Sequence, residues 1–356
     1  MSGAPRVAIA GYGLAGEVFH APLVAATPGL SLVAVTTSST ERALRALTAH
    51  PDIHVFADAD ELLDRMGSDI DVLVVATPNR LHVPIARRAL THRVAVVMDK
   101  PLAADAAPAA ALVEDFHAAG VPFTVFQNRR WDGDFLTVRR IVESGELGAI
   151  TRFESRYERF RPQVNAGAWR ERPDADEGGG LLLDLGAHLI DQALTLFGAP
   201  ENVYAEIAAR RPGAAVDDDV FVALEHAGGV RSHLWMSAIA PVGGRSLRAS
   251  GARGGIETPG LDPQEDQLVA GLRPGDEGWG AGEPARYVDA DGERTLAIQA
   301  GAYEHFYAGV RDALTDGRDM PVDARDSVAA LRVIEAARAS ARDGAVIKTS
   351  TQEERS

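Results

Sequence analysis

From Arg6 to about Phe126 the chain repeats one pattern, a short and almost wholly apolar run followed by a stretch of helix-favouring residues. The apolar runs cover 7–10, 32–36, 72–76, 94–98 and 123–126. A strand with one wet face alternates apolar and polar residues, so runs that are apolar throughout predict parallel strands covered on both faces by helices. The stretches 84–90 and 105–119 are alanine-rich and predict such helices, the second opening at Asp105 as a candidate cap. Residues 1–125 are therefore expected to form a doubly wound parallel α/β domain.

After residue 126 the pattern becomes alternating, as in 150–157, 220–226 and 230–236. Such strands bury one face only. Residues 126–356 are expected to form an α+β domain on an open, largely antiparallel sheet. A helix is expected over 180–197, ended by Gly198, and two more over 303–316 and 324–342. The stretch 258–294 is rich in Gly, Pro and Asp around Trp279, which reads as a disordered insertion or as a lid or subunit arm.

A formal net charge of -15 repels phosphate backbones and anionic lipid, so neither nucleic acid nor a membrane is the expected partner. With no cysteine in the chain, disulfides, thiolate metal sites and cysteine nucleophiles are excluded. No apolar run approaches the length of a spanning helix and no basic-then-apolar leader opens the sequence. A cytoplasmic protein is expected.

The first apolar run enters Gly11-Tyr-Gly-Leu-Ala-Gly16, the G-x-G-x-x-G spacing of a dinucleotide site. Its glycines serve a tight turn, close approach to a pyrophosphate, and packing of helix on strand. Gly11, Tyr12, Gly13, Leu14, Ala15 and Gly16 are the candidate phosphate-binding residues. An acid at the end of the second strand would bind a ribose hydroxyl, but this chain reads Thr36-Thr-Ser-Ser-Thr-Glu-Arg42. Thr37, Ser38, Ser39 and Arg42 can instead donate to a 2′-phosphate, while Glu41 reads as a cap of the next helix. NADP is favoured, and NAD stays open. Thr77, Pro78, Asn79 and His82 follow another strand and are expected at the ligand-binding edge of the sheet; the alternative is that Asn79 caps a helix and His82 lies on the surface.

Lys100, in Asp99-Lys-Pro101, follows a strand at the same edge and can donate to a substrate hydroxyl. Asp184 and His188 are four apart on an expected helix, so that a carboxylate can orient an imidazole that accepts a proton near neutral pH. A surface pair is the alternative; two metal ligands is another, for which a third and fourth ligand are missing. The run Asp217-Asp-Asp219 reads as a solvated turn. Arginines and aromatics gather at Asn128-Arg-Arg-Trp131, Tyr157 to Arg161 and Trp169-Arg170, a mixture suited to a polyhydroxylated ligand. Packing and surface ion pairs are the alternative there.

Taken together these residues resemble the Gfo/Idh/MocA oxidoreductase family over essentially the whole chain. The resemblance rests on Gly11 to Gly16 with Phe19-His20-Ala-Pro22, Ala76-Thr-Pro-Asn79 with His82, Asp99-Lys-Pro101, Asn128-Arg-Arg-Trp131-Asp132, and Gly178-Gly-Gly180 leading to Asp184, His188 and Asp191. Within the family, the Asn128 to Asp132 segment, Arg161-Pro162 and Gly260-Leu-Asp-Pro-Gln-Glu265 with Trp279-Gly280 resemble the NADP-dependent scyllo-inositol dehydrogenase branch. The resemblance implies an N-terminal Rossmann domain and an oxidoreductase whose catalytic residues are Lys100, Asp184 and His188. It also implies a polyol or sugar substrate near Arg130, Trp131, Tyr157 and Arg161, with Asn128, Trp169 and Arg170 on the cofactor. A second-domain sheet that joins subunits into dimers or tetramers belongs to the same implication. Asp99 departs from the glutamate most members carry, which shortens that acid by one methylene. Another sugar or trans-dihydrodiol dehydrogenase, a keto-sugar reductase, or a dinucleotide-binding sensor without catalysis are the competing readings.

Overall fold

A computed structural model describes residues 3–165, 167, 171–174 and 178–349. The chain divides into two compact units. The first comprises Met1–Trp131, Pro263–Gly280 and Ala302–Val328; the second comprises Asp132–Asp262, Ala281–Gly301 and Ala329–Ser356.

In the first unit β1 (Arg6–Ala10), β2 (Ser31–Thr36), β3 (His54–Phe56), β4 (Val72–Val75), β5 (Ala95–Met98) and β6 (Phe123–Val125) form one sheet in the order 3-2-1-4-5-6. Every neighbouring pair in it is parallel. The expected apolar runs all became strands, and β4 and β5 are buried at every position. That is the signature of a sheet covered on both faces. The order reverses between β1 and β4, so the carboxyl ends of these two strands frame the crevice where ligands bind in such sheets.

The division expected at residue 125 follows the chain, whereas the compact units do not. The first core continues into later sequence: Leu268, Trp279, Tyr303, Phe306 and Tyr307 bury with Val7, Ile9 and Tyr12. Polar ties reinforce this, since Thr124 Oγ1 donates to Val322 O at 2.8 Å. The stretch 258–294 is correspondingly no disordered insertion. It supplies α8 (Gln264–Val269) to the first unit and β13 (Ala285–Asp289) and β14 (Gly292–Leu296) to the second. Its glycines punctuate short elements that sequence pattern alone merges into a loop.

Among the described residues the second unit holds nine strands. To β13 and β14 it adds β7 (Ile150–Phe160), β8 (Pro200–Ala208), β9 (Asp219–His226), β10 (Arg231–Ser237), β11 (Ile239–Gly251), β12 (Gly254–Pro259) and β15 (Ile347–Lys348). Their order is β14-β13-β12-β11-β7-β10-β9-β8-β15. Only the β10–β7 pairing is parallel; the remainder are antiparallel. Alternate residues of β9, from Val220 to His226, are buried, as the sequence pattern requires. Helices α6 (Gly133–Glu143) and α7 (Ala187–Phe197) pack on this sheet. The expected helix over 180–197 is two coils: a wider π turn at Leu182–Gly186 precedes α7. Gly198 ends it with φ 75°.

The run Asp217 to Asp219 is not a solvated turn. The Asp218 side chain is fully buried, accepting Arg210 N at 2.6 Å, Arg211 N at 3.1 Å and Arg211 Nε at 2.8 Å. Burial opposes its ionisation, but these donors outweigh it and hold the carboxyl below the usual range. A carboxyl depressed in the folded state stabilises fully above its unfolded pKa, about 3.9, and loses that contribution as pH falls toward its folded value. Replacing Asp218 by Asn is expected to cost about 3 kcal/mol at neutral pH. It should also flatten the acid side of the Tm against pH curve, read by calorimetry between about pH 5 and 2.

Candidate active site

The turn after β1 is shaped by its glycines. Gly11 has φ +98°, and a Cβ there would lie 2.4 Å from Ala76 O. Its N–H donates to Thr36 Oγ1 at 2.9 Å, and Tyr12 N donates to Thr36 O at 2.9 Å. The turn is thereby clamped between the ends of β2 and β4. A Cβ on Gly16 would strike Gly11 O at 2.1 Å, so the helical segment closes directly onto the turn. That segment is a π coil, Ala15–His20, running into α1 (Ala21–Ala26). Gly13 differs: a Cβ there meets nothing within 4 Å. Its bare backbone faces open space beside exposed Leu14, a surface that suits a pyrophosphate approaching main-chain N–H groups. On that test the turn fits a dinucleotide.

At the end of β2, Thr36 is buried and its hydroxyl oxygen is occupied by Gly11 N. Thr37 Oγ1 accepts Ser39 N at 3.2 Å. The cap of α2 (Thr40–Ala49) is Ser39, whose Oγ accepts Arg42 N at 3.3 Å; Glu41, expected as the cap, lies in the first turn and pairs with Arg45 at 2.7 Å. A hydroxyl that accepts can still donate its own proton. Ser38 and Arg42 are exposed, so this rim offers donors and a cation but no carboxylate at the strand tip.

Beyond β4, Asn79 opens a short 3-10 turn, Asn79–Leu81, with Pro78 at its cap position. His82 is buried rather than on the surface, starting α4 (His82–Thr91). Its Nδ1 lies 2.8 Å from Pro101 O and its Nε2 2.9 Å from Thr77 O. Burial pushes its imidazolium down, against the charge of Asp99 and those carbonyls. His82 thereby joins the loop after β4 to the loop after β5 that carries Lys100, half-buried at the sheet edge. Asp99 Oδ1 accepts the Lys100 backbone N–H at 2.8 Å. Burial works against ionisation of Asp99, yet His20, Lys100 and His82 around it hold its carboxyl below the usual range.

In the second unit Asp184 sits in the π turn and His188 in the first turn of α7; both are nearly buried, as is Asp191. Asp217 starts this helix, its backbone O accepting Leu181 N at 3.0 Å and Oδ2 accepting Leu182 N at 2.7 Å. Gly180, with φ +100°, is what lets Asp217 so close, because a Cβ would lie 2.1 Å from Asp217 Oδ1. Burial raises the Asp217 carboxyl, chiefly against the Leu182 N–H and Arg338.

The expected substrate residues fall on both units. In the first, Asn128 and Arg129 are buried in a 3-10 turn, Asn128–Trp131. Arg130 pairs with Asp326 at 2.9 Å, and Trp131 packs edge-on against Phe306 at 5.6 Å. In the second, Tyr157 lies half-buried 5.5 Å under the Arg245 guanidinium, and Arg161 is exposed at the end of β7. Trp169 and Arg170 lie outside the described residues. Sequence reasoning connected neither Asp217 to the helix of Asp184 and His188 nor Arg245 to Asp132. Arg245 is buried against Asp132 at 2.8 Å, a partnership 113 positions apart that no local pattern signals. Among the described residues no group of three or more His, Asp or Glu could hold a metal ion, and no helix is long and apolar enough to cross a membrane.

A glycine turn at the reversal point of a six-stranded parallel sheet, in a chain with a second unit on a mixed sheet, defines a class: NAD(P)-dependent oxidoreductases with a Rossmann unit. Residues 5–127 match the model described as "Oxidoreductase family, NAD-binding Rossmann fold", and residues 139–349 match "Oxidoreductase family, C-terminal alpha/beta domain". The chain belongs to the Gfo/Idh/MocA family. It is 37% identical over 358 residues to the "uncharacterized oxidoreductase YdgJ" of Escherichia coli (strain K12), covering 98% of this chain and 99% of that protein. It is 34% identical over 345 residues to scyllo-inositol 2-dehydrogenase (NADP(+)) IolW of Bacillus subtilis (strain 168), covering 95% and 94%. The solved structure of Bacillus subtilis yvaA superposes with a TM-score of 0.90 at 32% identity, covering 98% of this chain and 99% of that one.

The glycines separate folding from binding. Gly16→Ala is expected to lower Tm by several degrees through its clash with Gly11 O, on the scale of roughly 1–3 kcal/mol for overpacking. Gly13→Ala should leave Tm within about 1 °C, because its surroundings are open, yet weaken binding of the reduced nicotinamide dinucleotide by about tenfold. Differential scanning fluorimetry and fluorescence titration of the two variants check both halves.

Proposed function

We propose that this oxidoreductase is an NADP-dependent dehydrogenase that oxidises a ring hydroxyl of an inositol, scyllo-inositol or a related cyclic polyol, to the ketone, reversibly. The observation that carries the cofactor half is the end of β2, where exposed Ser38 and Arg42 stand where a carboxylate would exclude a 2′-phosphate. Similarity along 95% of the chain to an NADP-dependent scyllo-inositol 2-dehydrogenase supports the substrate half. The bound cofactor supplies a nicotinamide ring that accepts hydride from the carbinol carbon and returns it in the reverse direction.

The residues of the chain do the rest. Main-chain N–H groups around Gly13 hold the pyrophosphate. Lys100 Nζ donates a hydrogen bond to the reacting oxygen and stabilises negative charge as it develops there. His188 takes the hydroxyl proton, and Asp184 orients its ring. Arg130, Trp131, Tyr157 and Arg161 remain the proposed contacts of the polyol, and a second copy of the chain on the open face of the nine-stranded sheet is the proposed partner, giving a dimer or tetramer. Along that face Phe221 and Trp235 lie 5.2 Å apart with Arg156 stacked 3.8 Å over the indole, a flat amphipathic surface suited to a like surface.

Lys100→Ala and His188→Ala are each expected to lower kcat by about a hundredfold or more while NADPH affinity changes little. Steady-state turnover of a polyol panel with NADP and with NAD, alongside cofactor titrations, reads this directly; wild-type kcat in either variant removes that residue from the mechanism. If no cyclic polyol in the panel is oxidised while an open-chain or anomeric sugar is, the substrate class is a sugar instead.

Cofactor choice has its own variants. Arg42→Ala is expected to lower the ratio of kcat/KM for NADP over NAD by about tenfold, the worth of one charge-assisted hydrogen bond, and Ser38→Ala by less. An unchanged ratio in the double variant places the discrimination elsewhere.

A further inference from the structure

Behind Lys100 runs a chain of polar groups to which the mechanism above assigns nothing. His20, at the end of the π coil, and Tyr307, on α9 (Glu304–Asp316), are both completely buried. Tyr307 Oη lies 2.6 Å from His20 Nδ1. His20 Nε2 makes no hydrogen bond and faces Asp99 Oδ2 at 3.8 Å. Asp99 Oδ1 accepts the Lys100 backbone N–H. The His20 ring otherwise meets an aromatic wall, with Phe126 4.6 Å away between centroids and Phe306 edge-on to Phe126 at 4.9 Å.

Charge and proton inventory decide the direction of this chain. Burial and then the charge of Asp99 push the Tyr307 hydroxyl well above its ordinary value, so the phenol keeps its proton. Were His20 Nδ1 the donor in the 2.6 Å contact, the Nε2 lone pair would point at a carboxylate oxygen, negative toward negative. With Tyr307 as donor, Nε2 carries the hydrogen and points it at Asp99. Moving the pair together by about 1 Å turns that approach into a charge-assisted hydrogen bond. Simple core packing would be served equally by phenylalanine at 307 and an aliphatic residue at 20, without stranding a buried nitrogen at a cost of about 1–3 kcal/mol.

We infer that Tyr307 and His20 are positioning residues for Lys100: the Tyr307 hydroxyl fixes the Nε2–H tautomer of His20, that N–H holds Asp99 Oδ2, and Asp99 Oδ1 holds the backbone at Lys100. This rests on the reading of Lys100 as the lysine that holds the reacting oxygen. It also gives the shortened acid a task, since Asp99 joins the buried histidine to the main chain of its own neighbour. The titratable groups around Asp99 are His20, Lys100 and His82, with Tyr307 behind His20. As pH falls Asp99 is protonated and its hold on both neighbours is lost. Weakening the His20 contact moves that loss to higher pH.

The test uses the full chain, with NADP and the best substrate of the polyol panel. Two-bond 1H–15N spectra of uniformly labelled protein, with His20 assigned by its disappearance in His20→Gln, are expected to show the Nε2–H tautomer in the wild type. Tyr307→Phe should lower kcat by roughly tenfold and leave KM within about twofold. His20→Gln, whose amide can accept from Tyr307 and donate to Asp99, should retain activity that His20→Leu loses. An Nδ1–H or doubly protonated His20 in the wild type overturns the proposal whatever the turnover of the variants. Unchanged kcat in folded Tyr307→Phe, beside an inactive Lys100→Ala, overturns the relay alone. Full turnover in Lys100→Ala overturns the reading of Lys100, and the relay's purpose with it, while leaving the tautomer assignment standing.

Discussion

Everything at the cofactor end depends on how closely the backbone at Gly11 passes Ala76. That approach leaves no room for a side-chain carbon, since one would lie 2.4 Å from the Ala76 carbonyl oxygen, and it needs a left-handed φ that other residues avoid. Because the turn sits so tightly, its N–H can reach Thr36 on β2 while β4 borders it on the other side. Gly16 then closes the helical segment onto the same turn, which leaves Gly13 as the one glycine of the three facing open space. Sheet order, turn and ligand surface thus share one steric constraint.

The lysine loop is held by a different means. Strand β5 is four residues long, too short to fix the path of the loop by itself, and the loop is instead gripped by side chains. His82 spans from Thr77 O to Pro101 O, and Asp99 caps the Lys100 N–H. Tyr307 and His20 stand behind that acid in the first core, which α9 completes from the far end of the chain. In the second unit the equivalent work falls to Asp217, which starts the helix of Asp184 and His188 by accepting two successive backbone N–H groups. In both units a half-buried aspartate is used to fix backbone through the N–H groups beside it.

Much of this was legible in the residues. Apolar runs located all but one strand of the first sheet; the exception, β3, opens on exposed His54 and leaves only two apolar residues to mark it. The G-x-G-x-x-G spacing, the acid-free end of β2 and the helix ended by Gly198 were likewise readable, because each is a local conformational preference. Less legible was 258–294, where short elements between glycines look like a linker until their partners in two cores are known. Glu41 was misplaced as a cap because Ser39, two residues earlier, offers an oxygen at better reach. Asp218 looked solvated because charge runs usually are, and only Arg211 with its neighbours explains its burial.

The sequence by itself determined the class of the chain: two patterns of burial, a dinucleotide turn, and a set of residue types spaced as in one oxidoreductase family. These are properties of short windows, governed by backbone geometry and by the periods of strand and helix. What only the tertiary structure decided was which distant groups share one environment. His20 and Tyr307 are 287 positions apart, and nothing in either window points to the other. Their pairing comes from α9 packing into the first core, where burial removes water and leaves each polar atom only the partners that folding places within its reach.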